Sequence, residues 1–101
     1  MKLLIVTVVA QFQKEILQLF KKAKIESFSG SEIDGYKNVA SLLMTRSWFP
    51  AEKGDTQSNL FFSFTVDDKI ETLFDLIEDF NKKLETNNPI KAVVVPIEKY
   101  I

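Results

Sequence analysis

The sequence contains no cysteine and no histidine. These absences exclude disulfides, thiolate nucleophiles, imidazole bases and nearly all zinc, copper or nickel sites. A hard cation would need several carboxylates. Glu52 and Asp55 in the central stretch are too few to hold one, so neither a metal nor a cofactor is expected. Charge of one sign is also missing. Thirteen Lys and Arg face fourteen Asp and Glu, for a net charge of −1, so no global basic field points to nucleic acid. No apolar run reaches the roughly 18 residues that a membrane span needs. Tryptophan occurs once and glycine three times.

What is present is ordinary for a soluble globular domain: 46% hydrophobic and 27% charged residues. At 101 residues the default is one domain with one modest core. The opening "MKLLIVTVVA" has the apolar character of a secretory signal. It is short, however, and a helical pattern follows it rather than a small-residue cleavage site. It reads as a first strand, and a cytoplasmic location is expected.

Leu3 to Val9 is a continuous apolar run that suits a strand buried on both faces. Phe12, Ile16, Phe20 and Ala23 then recur at helical spacing, with Leu17 and Leu19 beside them and lysines mostly opposite. The pattern predicts a helix over roughly Gln11 to Lys24. Ile25 to Ile33 alternates loosely and predicts a second strand, closed by the Asp34-Gly35 turn signal. "NLFFSFTV", Asn59 to Val66, is the strongest strand signal. Asp68 and Glu71 then form a capping-box-like pair at the start of a second amphipathic helix. Ile70, Leu73, Phe74, Ile77, Phe80 and Leu84 mark its apolar face up to Asn88-Pro89. "IKAVVVPIEKYI" supplies a last strand; Pro96 implies that it is an edge strand or leaves the sheet there. The order β-α-β, insertion, β-α-β predicts an α+β, ferredoxin-like fold: a four-stranded antiparallel sheet, two helices on one face and a long loop between strands 2 and 3.

Two helices cover one face only. The first and last strands are nevertheless apolar at consecutive positions, where one wet face would give alternation. A second copy of the chain, in a closed homo-oligomer, is the expected cover. The alternative is the long insertion folded over the sheet.

That insertion spans residues 36–59. Connections this long are usually functional or disordered. "VASLLM" could extend the second strand, whereas "FPAEKGDTQSN" has turn residues and no periodicity. Arg46, Trp48, Phe49 and Lys53 are the candidate partner contacts, with Trp48 and Phe49 as aromatic anchors. The stretch from about Ser47 to Ser58 is expected to be mobile until a partner or ligand orders it.

Taken together, the element order, "SEIDGY" closing the second strand, the long loop and the "VVVPIE" end resemble the PII signal-transduction proteins and their PII-like relatives. The matching residues are Ser31, Glu32, Gly35 and Tyr36, then Pro96 and Glu98. The resemblance implies a cytoplasmic homotrimer with its sheets packed around a three-fold axis. It implies a small-molecule effector in intersubunit clefts at the loop base, near Ser29, Ser31, Glu32, Gly35, Tyr36 and Lys37. It also implies a protein partner, such as a membrane transporter or metal-efflux system, touched through the loop. The chain departs from that family in several places. The nucleotide-holding loop pattern is replaced by Lys37, Asn38, Val39, Ala40 and Ser41. "ETNNPIKAVVV" lacks the glycines of the phosphate loop, whose backbone N–H groups cradle phosphate best where glycine permits close approach. The tyrosine modified in that family and the arginines after its last strand have no counterpart. Weak or absent ATP binding follows. The likeness is greater to divergent PII-like proteins, and extends to the trimeric CutA proteins through the Trp before the third strand.

Other functions compete with this one. A CutA-like or adaptor oligomer would bind no nucleotide. An enzyme would need acid–base groups, and Asp67, Asp68, Glu71 and Asp75 are explained by helix capping and solvation; no catalytic residue is expected. The expectation is a regulator, not an enzyme, with no nucleic-acid partner and no insertion into a membrane.

Overall fold

Alternation in the apolar residues builds the centre of the sheet. The computed structural model describes residues 1–35, 56–84 and 88–101. Strand β1, Lys2–Val9, buries Leu4, Val6 and Val8, while Leu3, Ile5, Thr7 and Val9 between them are only half-buried. A single 3-10 turn, Ala10–Phe12, leads into helix α1, Gln13–Lys22, so the expected helix from Gln11 begins with a tighter turn. Ile16, Leu19 and Phe20 face the core, and Leu17 is exposed.

The stop of α1 explains why the second strand starts later than the pattern predicts. Lys24 adopts a left-handed φ of 62°. Its N–H donates to the Lys21 carbonyl (3.1 Å), and the Ile25 N–H donates to the Phe20 carbonyl (2.9 Å). This pair of bonds is a Schellman stop, and Ile25 is buried beside Phe20 as its apolar clasp. Ile25 therefore belongs to the helix end, and strand β2 spans Ser29–Gly35.

Strand β3, Thr56–Thr65, is longer than its apolar signal. Thr56, Gln57, Ser58 and Asn59 pair with Gly35, Asp34, Ile33 and Glu32 of β2. The expected 36–59 loop thus loses its last four residues to the sheet, because ladder hydrogen bonds come from the backbone and polar residues can supply them. Helix α2, Asp67–Lys83, also starts differently from its prediction. Val66 is the N-cap and makes no side-chain cap bond, so Asp68 lies inside the first turn. There, with Asp67, it suits the positive end of the helix dipole instead of closing a capping box. Strand β4, Lys91–Pro96, completes the sheet.

The strand order is β2-β3-β1-β4, and every pairing is antiparallel. β4 lies at an edge, as Pro96 predicts. The core joins Leu4, Val6, Val8 and Phe61 of the sheet to Ile16 and Phe20 of α1 and Leu73 and Ile77 of α2. Both helices therefore cover the same face, and the architecture is the expected ferredoxin-like α+β fold. Phe12 of the 3-10 turn meets Phe80 of α2 edge-on at 5.6 Å between ring centroids.

Candidate functional site

Residue register decides which side chains share each face. Leu4, Val6 and Val8 oppose Ser63, Phe61 and Asn59, so odd residues of β3 face the helices. The even residues Leu60, Phe62 and Phe64 face away, joined by Leu3 and Ile5 of β1 and by Val93 and Val95 of β4. One row across this open face reads Val93, Ile5, Phe62, Ser29, and the next carries Val95, Leu3 and Phe64. Phe62 is 38% exposed, Phe64 57% and Val93 53%, values that belong to a surface and not to a core. Phe62 and Phe64 contact each other edge to face, with centroids 6.2 Å apart. No described element covers this face. Consecutive apolar residues in β1 and β4 led to this expectation. Phe62 and Phe64 were not among the expected site residues, although "LFFSF" carries their signal.

The predicted ligand residues lie on β2, at the opposite edge from β4. Ser29, Ser31 and Glu32 are exposed, and Gly35 is half-buried. The pleat separates them. Ser29, Ser31 and Gly35 share the open face with Leu60 and Phe62, whereas Glu32 falls on the helix side with Gly30 and Asp34. β2 therefore presents a serine border to the apolar face and an acidic border to the other. The Ser31 hydroxyl donates to the Glu32 carbonyl at 3.2 Å. Beside Glu32, a shallow depression of about 260 Å³ is lined also by Ile33, Asp34 and Gln57. The Gln57 amide donates to Asp34 Oδ1 at 3.1 Å, tying together the end of β2 and the start of β3. Tyr36, Lys37, Arg46, Trp48, Phe49 and Lys53 lie outside the described residues, as does most of the stretch expected to be mobile.

Three contacts hold β2 and β4 in place. The Ser63 hydroxyl donates to the Ser27 carbonyl at 2.6 Å. Phe20, Phe28 and Phe61 form a ring cluster with centroid separations of 4.8 to 5.7 Å. Asn81 of α2 grips the approach to β4 from both sides: its amide donates to the Ile90 carbonyl at 2.9 Å, and the Ile90 N–H donates to Asn81 Oδ1 at 3.0 Å.

Among the described residues no group of three or more acidic, histidine or cysteine side chains could hold a metal ion. No described helix is long and apolar enough to cross a membrane.

No protein-family model matches the chain, and no curated protein matches it in sequence. Solved structures do match. One is a structure of CPII from Thiomonas intermedia K12 bound to ADP, AMP and acetate. It aligns at TM-score 0.64 and 9% identity, covering 93% of this chain and 82% of that one. Another is CPII, a nitrogen regulatory PII-like protein from the same organism, bound to ADP, AMP and bicarbonate. It aligns at TM-score 0.62 and 8% identity, covering 99% of this chain and 94% of that one. The chain has the fold of a PII-like protein over nearly its whole length.

Proposed function

We propose that this chain is a divergent PII-like regulatory protein, a homotrimer that answers a small-molecule effector and acts on a protein partner. The observation that carries this reading is the pairing of a PII-like fold with an unpartnered apolar sheet face centred on Phe62 and Phe64. Three copies packing these faces around an axis would bury the patch, and closed symmetry would end the assembly there. Burial in a trimer would also add stability that a chain this small needs.

The effector would bind where β2 borders the neighbouring copy, with Ser29 and Ser31 as hydroxyl contacts on the open face and Glu32 as an acidic contact on the other. The solved neighbours hold ADP and AMP, which makes adenine nucleotides the first class to test. Their phosphates would have a poor seat here. The approach to β4 has no glycine, and the Asn81 amide already occupies the Ile90 backbone groups. Binding should therefore weaken as phosphates are added, with ATP weakest. The partner contact falls to the loop after Gly35, through Arg46, Trp48, Phe49 and Lys53, and a membrane transporter is the class of partner the resemblance favours.

The role is regulatory, not catalytic. Of the carboxylates that could have served acid–base work, Asp67 pairs with Lys2 at 3.0 Å, a contact that supports a structural role for it. Calorimetric titration with AMP, ADP, ATP and bicarbonate tests the effector. Saturable binding of at least one, reduced by Ser31→Ala and weakest for ATP, is the expected result. Tight, magnesium-dependent ATP binding would contradict it.

A further inference from the structure

The two flanks of the subunit carry opposite charge. Helix α2 lies over the β4 flank, where two hollows of about 430 and 410 Å³ share Phe74 and Glu78 in their walls. Glu71, Asp75 and Glu78 follow at steps of four and three on one face of α2, and all three line this groove. Helix α1 lies over the β2 flank, where Phe20 meets Phe28 and Phe61. Lys14, Leu17 and Lys21 follow at steps of three and four, on the side of α1 away from Phe12, the residue that meets α2. All three are exposed. Among the described residues the ion pairs join Lys2 to Asp67 and Lys83 to Asp79, and leave out both α1 lysines and the three groove carboxylates.

We infer that the α1 flank of one copy packs head to tail into the α2–β4 groove of the next, through an ion-pair ladder that closes the ring. This rests on the proposed trimer and names the contact between its members. Direction and height bring the charges together. α1 runs back against β1 and α2 against β3, and these strands are antiparallel, so the helices point opposite ways. Phe12 touches Phe80, which sets the two helices at a common height within one copy. Two residues further along each chain path, Lys14 is level with Glu78. Seven residues on, about 10.5 Å, Lys21 is level with Glu71. A ring whose axis follows the strands keeps directions and heights from copy to copy. Lys14 and Lys21 of one copy then face Glu78 and Glu71 of the next, with Leu17 between them over the half-buried Phe74. Lys91, in the groove wall, shares a row with Ser31, one residue from Glu32. It would thus stand beside Glu32 of the incoming copy. A two-fold contact would instead set either flank against itself, carboxylates on carboxylates or lysines on lysines. Exposed ion pairs add little each, so the ladder fixes register and closure, and the open apolar face supplies most of the affinity.

Charge reversal tests the ladder, read by sedimentation equilibrium over a dilution series at low salt. Lys14→Glu with Lys21→Glu should raise the concentration of half-dissociation by at least about tenfold, and so should Glu71→Lys with Glu78→Lys. The circular dichroism spectrum should not change, because all four positions are exposed. A chain carrying all four reversals restores opposite charges at every contact of a head-to-tail ring. It should return to within about threefold of the native value. Should a reversal unfold the chain, Lys14→Gln with Lys21→Gln decides, with a rise of roughly threefold expected. A fourfold variant no better than the double ones would overturn the ladder. Reversals without effect on an assembly that Phe64→Asp dissociates would also overturn it, while leaving the trimer standing. A native mass of one chain would overturn both.

Discussion

Gly30 is the residue whose identity the fold constrains most tightly. A Cβ there would stand 2.7 Å from Cδ1 and Cε1 of Phe61, whose ring lies over the glycine. Phe61 is wedged against Phe20 and Phe28, so it cannot yield freely. Gly30→Ala should cost about 1–3 kcal/mol in urea unfolding, the usual penalty of overpacking. Lys24 is the converse case. A lysine sits where a left-handed φ favours glycine, at a cost of roughly 1–2 kcal/mol. Lys24→Gly should therefore stabilise the chain by about 0.5–1 kcal/mol, after the looser unfolded chain takes back part of the gain. A lower melting temperature for that variant would contradict the Schellman account. Asn81→Ala would leave both backbone groups of Ile90 without their partner, and a loss of about 1–3 kcal/mol is expected in the same assay.

Within β3, adjacent phenylalanines have opposite duties. Phe61 is 6% exposed and belongs to the core, whereas Phe62 is 38% exposed on the open face. Phe61→Ala should cost about 3–5 kcal/mol of stability. Phe62→Ala should spare the subunit fold and loosen the assembly, which sedimentation at decreasing concentration would show. Equal loss of stability for the two would mean that the open face is not an interface. Such alternation could be read from the sequence because apolar residues at period 2 or 3.6 state which face is buried. That is why both helices were predictable, while Pro96 marked β4 as an edge strand. The ends were harder to read. Thr56 to Ser58 joined β3 through backbone pairing that leaves no apolar trace, and Ile25 resembled a strand start while serving a helix stop. The candidate site was legible only as a neighbourhood. Ser29, Ser31 and Glu32 stand close in sequence, but the pleat turns Glu32 to the other face, and register becomes visible only when β2 and β3 are paired.

The assembled protein is where the proposed function stands or falls. A PII-like fold gives each copy a helical side and a bare apolar side. The open face, the serine border of β2 and the loop after Gly35 acquire a shared purpose only if copies meet. The proposed effector cleft would need a neighbouring copy, and the loop bases would then be gathered around one axis. Sedimentation equilibrium at micromolar concentration is the most direct measurement, run on the native chain and on Phe64→Asp. Phe64 is the most exposed of the open-face phenylalanines, so a charge there should harm the interface before the fold. The account predicts a mass three times the 11.6 kDa chain for the native protein. It predicts dissociation, with an unchanged circular dichroism spectrum, for the variant. A native mass of one chain, or a trimer indifferent to Phe64→Asp, would contradict it.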